Sequence, residues 1–192
     1  SDGVFDCVFA ILSRSVTEYY EKINTLLSKW EHLILSKVLG AMVDVTEYNK
    51  KFFTDEKVGS FVTVGGDTEN NKVDDLDTKI LDILVNNARI PLLELARKVN
   101  STIEIVRGRI KKLEEKGIIL NYRIAVDFNK LGLEFFKAIL YFRKLSKKDE
   151  SALFEWMKNH PNSLYYIRSL APWDVEFEFA VENYQHFNKI IN

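Results

Sequence analysis

Three short stretches of helical apolar spacing, separated by polar breaks, occupy the region between Leu76 and Tyr122. In the last of them Val106, Ile110 and Leu113 recur at intervals of four and three, which puts them on one face of a helix. Three helices joined by such short breaks can bury their apolar faces only against one another. The pattern therefore predicts a compact tri-helical unit of the helix-turn-helix type.

Each of the three predicted helices has a recognisable start or end. We expect the first to begin at Asp75 or Asp77, because acidic residues are favourable in the first turn of a helix. The second is expected to open near Pro91, where the missing N–H of proline costs nothing. Thr102 is a suitable N-cap for the third helix, and Gly117 is expected to end it.

Residues 118–126 are rich in side chains that favour strands, and they are expected to form a wing. Residues 75–123 are thus predicted to be a winged helix-turn-helix DNA-binding domain. The segment from Leu76 to Arg123 holds ten basic and six acidic residues, a net charge of +4, whereas the whole chain carries −1. This concentration of positive charge indicates a polyanionic partner, and double-stranded DNA is the partner that a helix-turn-helix fits.

The third helix is expected to face that DNA. A helix in the major groove presents its N-terminal half to the bases and its flanking cations to the phosphates. The residues predicted to read bases are Thr102, Glu104 and Arg107. The residues predicted to contact phosphates are Arg109, Lys111 and Lys112. For any one of these residues the alternative is an ordinary solvated position on an amphipathic helix.

The run Val106–Ile119, followed by Asp127 and by Leu131-Gly132, resembles the leucine-responsive/AsnC family of transcriptional regulators. The resemblance implies an α+β chain, with a winged helix-turn-helix joined to an α/β effector domain of ferredoxin-like topology. It also implies a homo-oligomer formed through the α/β domain, and a small-molecule, amino-acid-like effector bound between subunits. In that frame we expect strands at 135–142, 163–170 and 175–181, and helices at 147–159 and from 184 onward.

A short pattern at the start of the chain repeats one near its end. Gly3, Phe5 and Asp6 form the Gly-x-aromatic-Asp turn of the family, and at an offset of 168 residues Asp6 falls on Asp174. The resemblance therefore implies Gly3, Asp6 and Asp174 as effector-binding residues; the alternative is a turn carboxylate that accepts backbone N–H groups. Chance similarity between two strand-helix units is the alternative to a true repeat.

If the repeat is real, the chain is a fragment of a tandem-repeat member of the family. Residues 1–54 are then the C-terminal half of a preceding ferredoxin-like effector domain, with a helix at 16–30 and its final strand at 33–45. Residues 55–74 are a linker in which 61–66 could form a strand, and residues 124–192 are the N-terminal part of a second effector domain. A sheet without its last strand is expected to expose an edge.

The remaining patterns exclude several classes of protein. No apolar stretch approaches the roughly 20 residues that a membrane span needs, and the lone Cys7 favours a reducing cytoplasm. No metal site, cofactor or catalytic residue is predicted, because the three histidines lie far apart and no nucleotide-binding motif is present. One alternative is an enzyme similar to sirohaem decarboxylases, for which Arg168 and His160 are the candidate ligand-binding residues. Another is an interaction module whose helix-turn-helix packs on protein.

Overall fold

The computed structural model describes residues 5–53, 60–66 and 71–192, and the chain divides into two compact units, Ser1–Leu39 and Gly40–Asn192. The first unit contains helix α1, Val16–Ser28, followed by a short 3-10 turn at Glu31–Leu33. The hydroxyl of Ser15 caps α1 by accepting from the N–H of Glu18 at 3.1 Å. The helix expected at 16–30 is therefore confirmed, with its end two residues earlier.

The second unit contains the three predicted helices as α2, α3 and α4, which span Asp75–Asn86, Leu92–Lys98 and Ile103–Glu115. Asp74 caps α2, and the two carboxylates of Asp74 and Asp77 form a reciprocal capping box with each other's backbone N–H. The apolar faces meet in one core of fully buried side chains, centred on Ile80, Leu95 and Val106. The tri-helical prediction is confirmed.

The chain leaves α4 through a left-handed turn rather than into a wing. Gly117 has φ +64°, and the N–H groups of Ile118 and Ile119 both donate to the carbonyl of Leu113, as at the C-terminus of many helices. No strand includes residues 118–126 among those that the structure describes, so the predicted wing strand is wrong. The reason is that strand-favouring residues form a strand only where a neighbouring strand accepts their backbone hydrogen bonds, and none of the strands in the described residues pairs with this segment.

Five antiparallel strands form one sheet in the order β2-β1-β4-β5-β3. Two of them precede the helix-turn-helix: β1 at Ala41–Tyr48 and β2 at Phe61–Gly65. Three follow it: β3 at Glu134–Leu140, β4 at Ser163–Leu170 and β5 at Val175–Val181. Helices α5, Lys147–Asn159, and α6, Tyr184–Ile191, complete the unit. Two 3-10 turns lie at Lys51–Phe53 and Asn129–Leu131.

The chain after the helix-turn-helix runs β3-α5-β4-β5-α6, which is the expected ferredoxin-like order, and the α+β class is confirmed. The predicted bounds of α5, β4 and β5 match the structure, and α6 begins at the predicted residue. Strand β3 begins one residue earlier and ends two residues earlier than expected.

The chain before the helix-turn-helix differs more from expectation. The strand expected at 33–45 is displaced to Ala41–Tyr48, and β1 pairs with β4, which joins it to the sheet formed by β3, β4 and β5. Strand β2 lies within the segment 55–74 that was predicted to be a linker. The origin of residues 1–54 in a preceding effector domain stays a prediction.

The core of the sheet lies on the face that packs against α5 and α6. Phe177 and Phe179 alternate with Glu176 and Glu178 along β5, so the aromatic rings point to the helices and the carboxylates to the other face. Met157 of α5 and Phe179 are fully buried there. None of the helices in the described residues is both long and apolar enough to span a membrane.

Candidate nucleic-acid interface and effector residues

Helix α4 has one face fixed by burial and one face open to solvent. Val106 and Leu113 are 0% and 2% exposed, so the rotation of the helix about its axis is set by the core. The hydroxyl of Thr102 caps the helix by accepting from the N–H of Ile105 at 3.3 Å. Five of the six residues predicted to contact DNA are exposed: Thr102, Glu104, Arg107, Lys111 and Lys112.

The cations on this exposed face are available to a ligand. Neither Arg107 nor Lys112 has an ion-pair partner in the described part of the chain. The Nζ atom of Lys111 lies 3.6 Å from Oε1 of Glu115, and both side chains are largely exposed. An exposed pair of this kind contributes little to stability and is screened by salt, so a phosphate can compete for Lys111. Glu104 lies in the first turn of α4, where the helix dipole stabilises an acid.

Arg109 makes a different contact from the phosphate contact predicted for it. Its Nη1 atom binds the carboxylate of Asp74 and lies 3.2 Å from Oδ1 of Asp77, the two residues of the α2 capping box. The hydrogen bond to Asp74 raises the pKa of Arg109. The N–H of Asp77 and the guanidinium in turn lower the pKa of Asp74. Arg109 therefore connects α4 to the start of α2, and its charge is already neutralised by carboxylates.

Asp174 lies in the turn between β4 and β5, where its polar groups bind backbone. Its Oδ2 atom accepts from the N–H of Phe142 at 2.7 Å, and its own N–H donates to the carbonyl of Leu140 at 3.0 Å. These contacts are those of a turn carboxylate, and the side chain remains exposed at the surface. Asp6 is exposed in the first unit, and Gly3 lies outside the described residues. An effector role for the three residues stays a prediction.

Arg168 and His160, the candidates for an enzymatic ligand site, are both engaged within the protein. The guanidinium of Arg168 binds both carboxylate oxygens of Asp44, and its Nη1 atom lies 2.8 Å from Oε1 of Glu150. These hydrogen bonds raise the pKa of Arg168. His160 ends α5, its Nδ1 accepts from the N–H of Asn162 at 3.2 Å, and burial lowers its pKa. To bind the carboxylates of a tetrapyrrole, Arg168 would have to break its ion pairs with Asp44 and Glu150.

The sequence patterns did not predict a cavity that lies beside Arg168. It has a volume of about 380 Å³ and is lined by residues of β1, β2, β4 and α5. Its polar residues come from four separate elements, so no local sequence motif marks them. No group of three or more His, Cys, Asp or Glu side chains that could hold a metal ion occurs among the residues described.

Comparison with known proteins identifies the helix-turn-helix. Residues 73–114 match the AsnC-type helix-turn-helix domain. The chain is 38% identical over 77 residues to an uncharacterised HTH-type transcriptional regulator of Pyrococcus furiosus, covering 40% of this chain and 51% of that protein. It is 36% identical over 88 residues to the HTH-type transcriptional regulator LrpB of Bacillus subtilis, covering 46% of this chain and 59% of LrpB. The chain thus spans between half and three fifths of the length of these relatives.

The fold also has known counterparts. A transcriptional regulator of Neisseria meningitidis, solved as a complex with L-Met, superposes with a TM-score of 0.55 at 21% identity. The superposition covers 62% of this chain and 78% of the Neisseria chain. At that identity the likeness shows the fold alone. The predicted resemblance to the leucine-responsive/AsnC regulators is confirmed by the matched AsnC-type helix-turn-helix domain and by the similarity to LrpB.

Proposed function

We propose that this chain, which carries the helix-turn-helix domain and the α+β architecture of leucine-responsive/AsnC regulators, binds double-stranded DNA and regulates transcription. The observation that carries the proposal is the exposed face of α4. Burial of Val106 and Leu113 turns Arg107, Lys111 and Lys112 outward together. Three cations on one face of the helix suit a phosphate backbone, and the N-cap end of the helix is free to approach base edges.

The roles of the individual residues follow from their positions on α4. Thr102, Glu104 and Arg107 lie in its N-terminal half and read base edges in the major groove. Arg107 suits the two acceptors of guanine, and Glu104 suits the amino group of cytosine. Lys111 and Lys112 lie further along the helix and contact phosphates. Arg109 holds α4 against α2 and so fixes the angle at which the helix meets the groove.

The α/β part of the chain is proposed to assemble the regulator. A homo-oligomer formed through the sheet would present two α4 helices to half-sites about one helical turn of DNA apart. A small, amino-acid-like effector bound near the turn of Asp174 would shift the assembly between states. The L-Met complex of the Neisseria regulator supports an effector of this class. The regulators named by the comparisons also favour this function over a decarboxylase, for which a coloured, tetrapyrrole-bound preparation is the expected sign.

The test is the dependence of DNA affinity on salt. Each phosphate contact on B-DNA contributes about 0.9 to the slope of log K against log salt concentration. We expect wild-type protein to bind random duplex with a steep negative slope, and Lys111→Ala/Lys112→Ala to lower that slope by about 2. Arg107→Ala/Lys111→Ala is expected to abolish binding. Fluorescence anisotropy with a labelled duplex measures all of these.

The matched control removes two lysine charges from a different helix, α5. Lys147 and Lys148 are exposed in the first turn of α5, far along the chain from α4. Lys147→Ala/Lys148→Ala is expected to leave the slope close to wild type. The proposal is refuted if wild-type protein does not bind duplex at low salt, or if Arg107→Ala/Lys111→Ala binds as tightly as wild type.

A further inference from the structure

The cavity of about 380 Å³ lies between helix α5 and the strands β1, β2 and β4. It reaches the lower part of the range of volumes typical of small-molecule sites. Strand β1 contributes Asp44 and Thr46, β2 contributes Thr63, and β4 contributes Tyr166 and Arg168. Glu150 of α5 closes the opposite side.

The charges that line the cavity favour a cation. Asp44, Glu150 and Glu155 are acidic and Arg168 is the basic lining residue. The guanidinium of Arg168 is committed to Asp44 and Glu150, and Glu155 is paired with Lys158 at 3.2 Å outside the lining. The three carboxylates of the lining therefore exceed the two cations, Arg168 and Lys158, by one negative charge. A bound anion would face the carboxylates of Asp44 and Glu150, whereas an ammonium group could share Glu150 with Arg168.

A buried hydroxyl group in the lining lacks a hydrogen-bond acceptor. Tyr166 lines the cavity and is 2% exposed, and its hydroxyl has no hydrogen-bond partner among the described residues. Burial raises the pKa of Tyr166 to about 12, so the hydroxyl stays a neutral donor. A buried donor without an acceptor is unfavourable, and a ligand oxygen would satisfy it. The hydroxyls of Thr46 and Thr63, which also line the cavity, lie 2.9 Å apart and form a hydrogen bond with each other.

We propose that this cavity binds a small organic amine that also carries an uncharged oxygen atom. The ammonium group binds Glu150, and the oxygen accepts the hydrogen of the Tyr166 hydroxyl. This ligand differs from the amino-acid-like effector proposed near Asp174, because a free carboxylate is repelled by Asp44 and Glu150. The inference stands on the cavity and does not depend on DNA binding.

Three four-carbon probes separate the two contacts in the wild-type chain. 4-Aminobutan-1-ol carries both groups, n-butylamine carries the ammonium alone, and 4-aminobutyrate replaces the hydroxyl with a carboxylate. We expect the amino alcohol to bind about twofold to tenfold more tightly than butylamine, the range of one neutral hydrogen bond. The amino acid is expected to bind most weakly. Ligand-observed NMR titration at low salt measures the three affinities.

Two conservative variants then assign the contacts. Tyr166→Phe is expected to remove the advantage of the amino alcohol and leave butylamine unchanged. Glu150→Gln keeps an oxygen for Arg168 but removes the charge, and is expected to weaken both amines about tenfold. Glu134→Gln, on the exposed start of β3, is the matched control and is expected to bind like wild type.

The wild-type measurements can refute the proposal without any variant. It is overturned if none of the probes binds, or if 4-aminobutyrate binds as tightly as the amino alcohol. It is also overturned if folded Tyr166→Phe, verified by its thermal unfolding transition, retains the preference for the amino alcohol.

Discussion

Replacing Lys137 with methionine should destabilise the folded chain strongly at neutral pH and less in acid. Lys137 of β3 lies opposite Glu178 of β5 in the sheet, with Nζ 2.9 Å from Oε1 of Glu178, and it also binds Glu176. The two carboxylate side chains are only 9% and 10% exposed, whereas that of Lys137 is 26% exposed. The substitution would leave two neighbouring carboxylates buried without their cation.

The magnitude follows from the cost of removing one partner of a buried ion pair, which is about 3–5 kcal/mol. Because Lys137 is partly exposed, we expect the lower end, about 3 kcal/mol in the free energy of unfolding at about pH 8. Methionine has a similar length, so little of this loss is due to packing. The residual hydrogen bond from the indole Nε1 of Trp173 to Glu176, at 2.9 Å, cannot replace a charge.

The pH dependence has a defined sign. Burial raises the pKa of Glu178 above its ordinary value, and Lys137 opposes that rise. A carboxyl group with a raised pKa binds its proton more tightly in the folded state, so its contribution to stability falls as pH rises through that pKa. Without Lys137 the pKa rises further. The loss in the free energy of unfolding should therefore be smaller at about pH 5 than at about pH 8. The difference is about 1.4 kcal/mol for each further unit by which the pKa of Glu178 rises.

Urea denaturation of wild type and Lys137→Met at several pH values measures the difference. Lys130→Met is the matched control, because Lys130 is 84% exposed and lies 3.8 Å from Asp127. We expect the control to stay within about 0.5 kcal/mol of wild type. A loss in the free energy of unfolding below about 1 kcal/mol for Lys137→Met, unchanged between acid and neutral pH, would show that Lys137 does not stabilise Glu176 and Glu178 by its charge.

Two further predictions concern the helix-turn-helix. Gly117→Ala forces a side chain into a left-handed turn at φ +64°, where the added Cβ would lie 3.9 Å from Cδ2 of Leu120, an ordinary contact. Backbone strain of about 1 kcal/mol should therefore appear as a lower urea midpoint; an unchanged midpoint would contradict this interpretation of the turn. Arg109→Met should lower the melting temperature and weaken duplex binding without reducing its salt slope, because Arg109 binds Asp74 and Asp77 rather than phosphate. A fall of about 1 in the slope would assign it to DNA after all.

The parts of the fold predicted best from sequence are those with local signals. Helix α5 has the predicted bounds because Ser146 and Asp149 form a capping box at its start. Strand β5 has them because polar and aromatic residues alternate between two turns. The end of α4 was likewise predictable from a local signal, the glycine at position 117.

The parts predicted worst depend on partners that are distant in sequence. Strand β1 is displaced from 33–45 to Ala41–Tyr48 because its position is set by pairing with β4. Residues 118–126 have the composition of a strand, but no strand in the described part of the chain pairs with them. The role of Arg109 was missed because its partner Asp74 lies 35 residues earlier in the chain, and no spacing rule connects them.

The pairing of β1 with β4 has a consequence for the order in which the chain folds. Asp44 and Arg168 are 124 residues apart in sequence, so the central strands of the sheet can meet only after the chain between them has been made. Closing a loop costs more entropy as it lengthens, by about 0.6 kcal/mol for each doubling. The helix-turn-helix lies inside that loop and is held by local contacts, which form quickly. Once it folds, the loop becomes shorter and stiffer, so the helix-turn-helix is expected to speed the pairing of β1 with β4.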